Sequence, residues 1–211
     1  MPDLHSDTIY ALSSGAGRAG VAVVRVSGSE AKRVTESLCD ALPAPRAATF
    51  CRLHAPLDGA VIDEAIVLWM PGPNSFTGED VAEFHVHGGR AVIGRLMAVL
   101  DTFDNCRIAN AGEFTGRAFY NGKMDLVAVE GLADLIAAET EEQRRQAVFQ
   151  QSGGASALYG ELGERLTKVL AYTEAAIDFV EEDGVEESAL KNVVVSLTGI
   201  KFDLEAMLDD Q

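Results

Sequence analysis

The chain has 211 residues, 47% of them apolar, and a formal net charge of -16 at neutral pH. That length and composition supply a core for one domain of ordinary size plus a smaller unit, and they exclude a disordered chain. No run approaches the ~20 apolar residues of a membrane span, and the first ten residues carry acids and a histidine where a signal peptide needs basic and then apolar residues, so a cytoplasmic protein is expected.

The charge is unevenly spread. Residues 1–118 hold 10 basic and 14 acidic side chains, whereas residues 119–211 hold 7 and 19. Binding a phosphate backbone depends on Lys and Arg displacing counterions, so the second half is a poor nucleic-acid surface and reads as solvated acidic helix faces. The cysteines Cys39, Cys51 and Cys106 are odd in number and widely spaced. They fit reduced, mostly buried thiols rather than a disulfide frame or zinc site.

In chain order, residues 8–12 and 21–26 are β-branched, apolar runs separated by a Gly-rich turn, and residues 30–42 read as a helix with Ser29 as its cap. Strands at 50–53 and 61–70 flank Asp58-Gly59, a dipeptide that suits a hairpin turn because both positions tolerate positive φ. After a loop at 71–78 come a strand at 81–86, a helix at 89–103 and a short strand at 107–109. Strand signals then stop near Gly112. Leu126, Val129, Leu132, Ala133 and Ile136 recur at helical spacing, as do Leu158, Leu162, Leu166, Val169, Leu170, Ala176 and Ile177. Gly153-Gly154 marks a break between two helices, residues 181–187 read as an acidic loop, and a last helix carries Leu190, Val194, Leu197, Leu204 and Leu208 on one stripe. The predicted class is α+β: a small mixed-sheet domain followed by an all-α partial helical bundle.

Two glycine motifs fail on physical grounds. Gly15 to Gly20 spell the dinucleotide fingerprint, but that motif needs a helix to receive the pyrophosphate, and here a strand follows. Asn121-Gly122-Lys123-Met124 resembles a phosphate-binding loop, yet Arg117 occupies the earlier glycine position and Met124 replaces the hydroxyl, so GTP or ATP hydrolysis by these residues is not expected. His85 and His87 share one strand face with no third ligand nearby in sequence, so hydrogen bonds to nearby backbone are expected rather than a metal. What accumulates instead is a set of polar residues beside turns: Arg25, Glu79, Asp80, Glu83, Glu113, Arg117 and Lys123. A carboxylate and several cations around one cleft suit a ligand with an N–H edge at one end and carboxylates at the other; surface ion pairs are the alternative.

Three blocks carry a family resemblance. The first is Asp7-Thr8-Ile9 with Gly17-Arg18-Ala19-Gly20-Val21 and Val24-Arg25-Val26-Ser27-Gly28. The second is the run from Pro71 through Phe76-Thr77-Gly78-Glu79-Asp80, with His87-Gly88-Gly89. The third is Gly112-Glu113-Phe114-Thr115, Arg117-Ala118-Phe119 and Asn121 to Leu126, followed by Glu130, Ala133-Asp134-Leu135-Ile136 and Thr140. In this order the chain resembles the MnmE (TrmE) family of tRNA modification GTPases. Ala111, Ser14, Ala16 and Val180 stand where that family usually has proline, which affects local rigidity more than side-chain chemistry.

The resemblance implies a tetrahydrofolate-binding and dimerisation domain at residues 1–120 and the first part of a helical domain at 121–211, with the GTPase domain outside this chain. It further implies a homodimer formed through the first domain. The bound folate is a 5-formyl- or 5,10-methylene-tetrahydrofolate, held by Arg25, Glu83 and Lys123. Glu83 is the candidate pterin anchor, because a carboxylate accepts two parallel bonds from adjacent N–H groups. No catalytic residue and no metal ligand is named in these 211 residues. The complete family protein works with the flavoprotein MnmG in a heterotetramer-type complex. It adds a carboxymethylaminomethyl group to C5 of the wobble uridine in tRNA, using GTP with Mg and K ions in the GTPase domain. Two alternatives are a stand-alone folate-dependent one-carbon transferase, with Glu79 or Asp80 as acid or base, and a non-catalytic dimerisation module.

Overall fold

The computed structural model describes residues 7–178 and 185–209. The chain divides into two compact units, Met1–Asp125 and Leu126–Gln211.

The first unit contains strands β1 (Thr8–Leu12), β2 (Ala19–Ser27), β3 (Thr49–His54), β4 (Val61–Met70), β5 (Val81–Gly88) and β6 (Cys106–Ile108), with helices α1 (Ala31–Leu38), α2 (Arg90–Leu100) and α3 (Glu113–Tyr120). The strands form one sheet in the order β3-β4-β5-β2-β1-β6. Every pairing is antiparallel except β1 with β6, so the sheet is mixed. Alternation explains the layering: Ala22, Val24 and Val26 of β2, and Phe84 and Val86 of β5, are buried in a core shared with Val34 and Leu38 of α1 and Leu96 and Leu100 of α2. The intervening residues face the other way. Register aligns Val23 with His85, His85 with Ile66, and Ile66 with Phe50, while Arg25, Glu83 and Leu68 form the adjacent row. Cys39 and Cys51 are buried free thiols, and burial together with the neighbouring Cys51 pushes the Cys39 thiol up.

The expected first helix is corrected at both ends. Ser29 does not cap it; the N-cap is Glu30, whose backbone N–H donates to Thr8 Oγ1 at 2.8 Å, a partner supplied by another strand. The helix stops at Leu38 rather than residue 42, because Asp40 adopts φ 60°, outside the helical region. At the hairpin, Gly59 has φ 66° and Asp58 Oδ1 accepts from the Ala60 N–H, closing the turn between β3 and β4.

The second unit is entirely helical among the described residues: α4 (Leu126–Ala137), α5 (Glu141–Gln151), α6 (Gly154–Asp178) and α7 (Val185–Asp209). Thr140 opens α5 with a capping box to Gln143. Gly153, at φ 87°, separates α5 from α6 where the sequence predicts a break. Helices α4 and α5 approach at Gly131, where an added Cβ would lie 2.6 Å from the Gln151 nitrogen, so only glycine fits. Of the expected acidic loop at 181–187, residues 181–184 lie outside the described residues and the rest already belongs to α7. The stripe Leu190, Val194, Leu197, Leu204 and Leu208 is exposed along its length. No helix among the described residues is long and apolar enough to cross a membrane.

Candidate functional site

The site grows from the open face of the sheet. Arg25 and Glu83 are direct cross-strand partners of β2 and β5, so their side chains leave the same face side by side. Arg25 Nε donates to Glu83 Oε1 at 2.9 Å and its Nη2 lies 2.8 Å from the same oxygen. Both side chains are sheltered, at 24% and 15% exposure. The Arg25 guanidinium also lies against two rings, Phe76 at 5.1 Å and Phe114 at 5.6 Å, both within the range of cation–π attraction. Phe76 comes from the loop at 71–80 and Phe114 from the first turn of α3, so three separate segments meet on one cation.

That loop is fastened to the sheet. Thr77 is fully buried and its hydroxyl shares a 2.7 Å hydrogen bond with Ser27, which also donates to Glu79 Oε2 at 2.7 Å. Asn121 Nδ2 donates to the Thr77 carbonyl, and Asp80 accepts from the Gly72 N–H. Lys123 Nζ reaches the same loop and donates to the Pro73 carbonyl at 2.9 Å.

A second, more deeply buried network supports the first. Arg117, 2% exposed, donates to Asp7 Oδ1 at 2.7 Å, to the Asp7 carbonyl at 2.8 Å, to Glu79 at 3.2 Å and to Glu113 at 3.3 Å. Arg107 joins Asp7 to Glu113 from the opposite side. The Arg107 hydrogen bonds outweigh burial and, with the Asn110 N–H and Arg117, hold the Glu113 carboxyl at about 2. Burial works against ionisation of Asp7, but the Arg107 and Arg117 guanidiniums overcome it and keep that carboxyl below its ordinary value as well. Both folded-state shifts are downward, so the stabilisation is complete above the unfolded carboxylate range and is lost on acidification. Unfolding midpoints of the first unit should therefore fall as pH drops from about 4.5 toward about 2. With Glu113→Gln that loss should be smaller; an equally steep decline in the variant would remove Glu113 from the explanation.

Arg25 and Glu83 are thus brought together as a bonded pair, with Lys123 on the adjoining loop. Glu79, Glu113 and Arg117, which the sequence groups with them, belong to the supporting network, and Asp80 is spent on the loop backbone. The histidines also differ from expectation. His87 Nδ1 lies 2.8 Å from the Asp63 carboxylate rather than a backbone group, because that carboxylate already accepts from the His87 N–H. His85 Nε2 lies 3.4 Å from Glu83 Oε2. Sequence reasoning missed Asp7, Arg107, Phe76, Phe114 and His85 as members of these clusters. The period-2 alternation that places Glu83 and His85 on one face is the signal that could have found His85.

Two family profiles cover most of the chain: "GTP-binding protein TrmE N-terminus" over residues 8–123 and "MnmE helical domain" over residues 126–211. Among curated relatives, the tRNA modification GTPase MnmE of Brucella canis is 50% identical over 201 residues, covering 95% of this chain and 45% of its own length. The MnmE of Brucella anthropi is 51% identical over 199 residues, covering 94% and 45%. The mitochondrial 5-taurinomethyluridine-tRNA synthase subunit GTPB3 of Danio rerio is 49% identical over 205 residues, covering 97% and 41%. The chain therefore spans less than half the length of these relatives. With a sheet-and-helix unit over the first match and a helical unit over the second, the chain belongs to the MnmE (TrmE) family of tRNA modification GTPases.

Proposed function

We propose that the first unit binds a reduced folate, 5-formyl- or 5,10-methylene-tetrahydrofolate, and pairs two copies of the chain. The observation that carries this reading is the sheltered Arg25–Glu83 pair under Phe76 and Phe114. Two of the three Arg25 guanidinium nitrogens are spent on Glu83 Oε1, so the carboxylate keeps acceptor capacity at Oε2 for N–H groups of a pterin. The two phenyl rings suit a flat heterocycle. Arg25 and Lys123 supply positive charge for the glutamate tail or for a polar one-carbon substituent.

In the whole protein this site serves tRNA modification. The folate donates a one-carbon unit toward the carboxymethylaminomethyl group at C5 of the wobble uridine, together with the flavoprotein MnmG. GTP hydrolysis, with Mg and K ions, belongs to sequence beyond the two matched regions, and the complex works in the cytoplasm. The second half, with 7 basic against 19 acidic side chains, is not the surface that holds the tRNA backbone.

Calorimetric titration of the chain with 5-formyltetrahydrofolate, with its mass in solution recorded, tests this. Saturable binding to a dimer is expected. A well-folded dimer that takes up no ligand would reduce the unit to a dimerisation module. Turnover of methylenetetrahydrofolate by the chain alone would instead favour a stand-alone one-carbon transferase.

A further inference from the structure

Most cations of the first unit are matched to a carboxylate: Arg52 to Glu64, Arg95 to Asp58, Arg25 to Glu83, and Arg107 and Arg117 to Asp7. Arg46 and Lys123 have no acidic partner among the described residues. Both are exposed, and each donates to a backbone carbonyl of the 71–80 loop: Lys123 Nζ to Pro73 at 2.9 Å, and Arg46 Nη2 to the next carbonyl, that of Asn74. Consecutive Cα atoms are about 3.8 Å apart, so two cations from separate segments meet over one short stretch of chain. Both are held there. Arg46 has φ 59°, in the left-handed region that non-glycine residues rarely occupy, and its backbone N–H donates to the Trp69 carbonyl at 2.7 Å. The Lys123 stem lies over Gly78, where an added Cβ would come 3.4 Å from Lys123 Cγ. A carbonyl engages only one N–H of each cation, which leaves the others to hold an anion.

We infer that Arg46 and Lys123 form a dicarboxylate subsite that takes the glutamate tail of the folate, with Arg46 making the site sensitive to tail length. The assignment rests on the reduced-folate reading of the same unit and extends it away from the ring. Arg25 is the weaker candidate for the tail, because its charge is already offset by Glu83 and two of its nitrogens are bonded there. Arg46 and Lys123 carry uncompensated charge in a chain whose net charge is -16, so they concentrate attraction for an anion that the rest of the molecule repels. A folate tail presents two carboxylates on its glutamate, and each further γ-linked glutamate adds one more. A guanidinium takes a carboxylate by two parallel hydrogen bonds, and an ammonium takes the second as a point charge. The subsite adjoins the rest of the site through the same loop: Phe76, which lies against Arg25, is two residues beyond Asn74.

The test is titration of wild type and Arg46→Ala with three ligands: 5-formyltetrahydrofolate, its γ-linked diglutamate, and 5-formyl-6-methyltetrahydropterin, which keeps the ring and lacks the tail. R46A should weaken both tailed ligands about fivefold and leave the tail-less pterin within about twofold, the scale of one exposed charge pair. Saturable wild-type binding that R46A preserves for all three would overturn the subsite and leave the folate site standing. An equal loss for the tail-less pterin would also overturn it, because Arg46 would then act through the fold. Absence of wild-type binding to any of the three would overturn the folate site and this inference with it. The wild-type protein supplies a readout that no variant's folding can disturb. Its affinity should rise from the tail-less pterin to the monoglutamate to the diglutamate, and the differences should shrink as salt screens the charges. Equal affinity for the three, or differences that salt leaves unchanged, would refute a charge-reading subsite.

Discussion

Replacing Arg117 by alanine should destabilise the first unit by about 3–5 kcal/mol, the usual cost of removing one partner from a buried ion-pair network. Arg117 is 2% exposed and bonds to three carboxylates, those of Asp7, Glu79 and Glu113, whose side chains are themselves only 30%, 14% and 15% exposed. Without the guanidinium those negative charges lose their shared partner, Arg107 offsets those of Asp7 and Glu113, and the desolvation cost of each remains. Arg117→Lys retains the charge but cannot serve three acceptors with one fork, so an intermediate loss is expected. The chain's one tryptophan, Trp69, is 3% exposed in the first unit, so its fluorescence during urea unfolding reports on that unit specifically. A midpoint for R117A indistinguishable from wild type would show that the network is decorative. The same variant should loosen the ligand site, because Glu79 anchors the loop bearing Phe76 through Ser27, and Glu113 precedes Phe114 in α3.

Glu83→Ala should abolish measurable 5-formyltetrahydrofolate binding, a loss of about a hundredfold or more if two charge-assisted hydrogen bonds to the ligand are removed. The substitution also leaves Arg25 without its carboxylate, and an uncompensated cation beside the ligand's N–H edge adds repulsion to the lost attraction. Folding should be much less affected. The pair is partly sheltered rather than deeply buried, and its loss should shift the Trp69 transition by no more than about 1 kcal/mol. Arg25→Ala and Lys123→Ala should each weaken binding while retaining saturation, since each leaves the carboxylate that reads the ring. Glu83→Ala that still binds within about threefold of wild type would show that Glu83 is not the anchor, whatever the other variants do.

The strands were the most legible part of the molecule. β1 at Thr8–Leu12 and β4 at Val61–Met70 fall where the sequence predicts them, because β-branched runs bounded by turn residues leave few local alternatives. The division into a sheet-bearing first part and a helical remainder followed from the switch between period 2 and period 3.6 near Gly112. Gly153 likewise announced its break, since positive φ is a local property of the backbone. Helix ends were less legible. The start of α1 depends on Thr8, a residue of another strand whose approach no local pattern records.

The candidate site divides the same way. Arg25, Glu83 and Lys123 could be singled out by residue type and by family resemblance, but the sequence grouped them with Glu79, Glu113 and Arg117 as equals. Arg25 and Arg117 are the same side chain with opposite surroundings, and the difference arises from partners 58 and 110 positions away. Cross-strand register placed Glu83 beside Arg25, and the meeting of Asp7, just before β1, with the 71–80 loop and α3 buried Arg117. Composition, periodicity and turn chemistry, which act over a few residues, determined this chain's elements and its class. Which charges became a buried scaffold and which remained at the surface of the candidate site was decided only by tertiary structure, because the desolvation that separates the two exists only once distant segments have packed together.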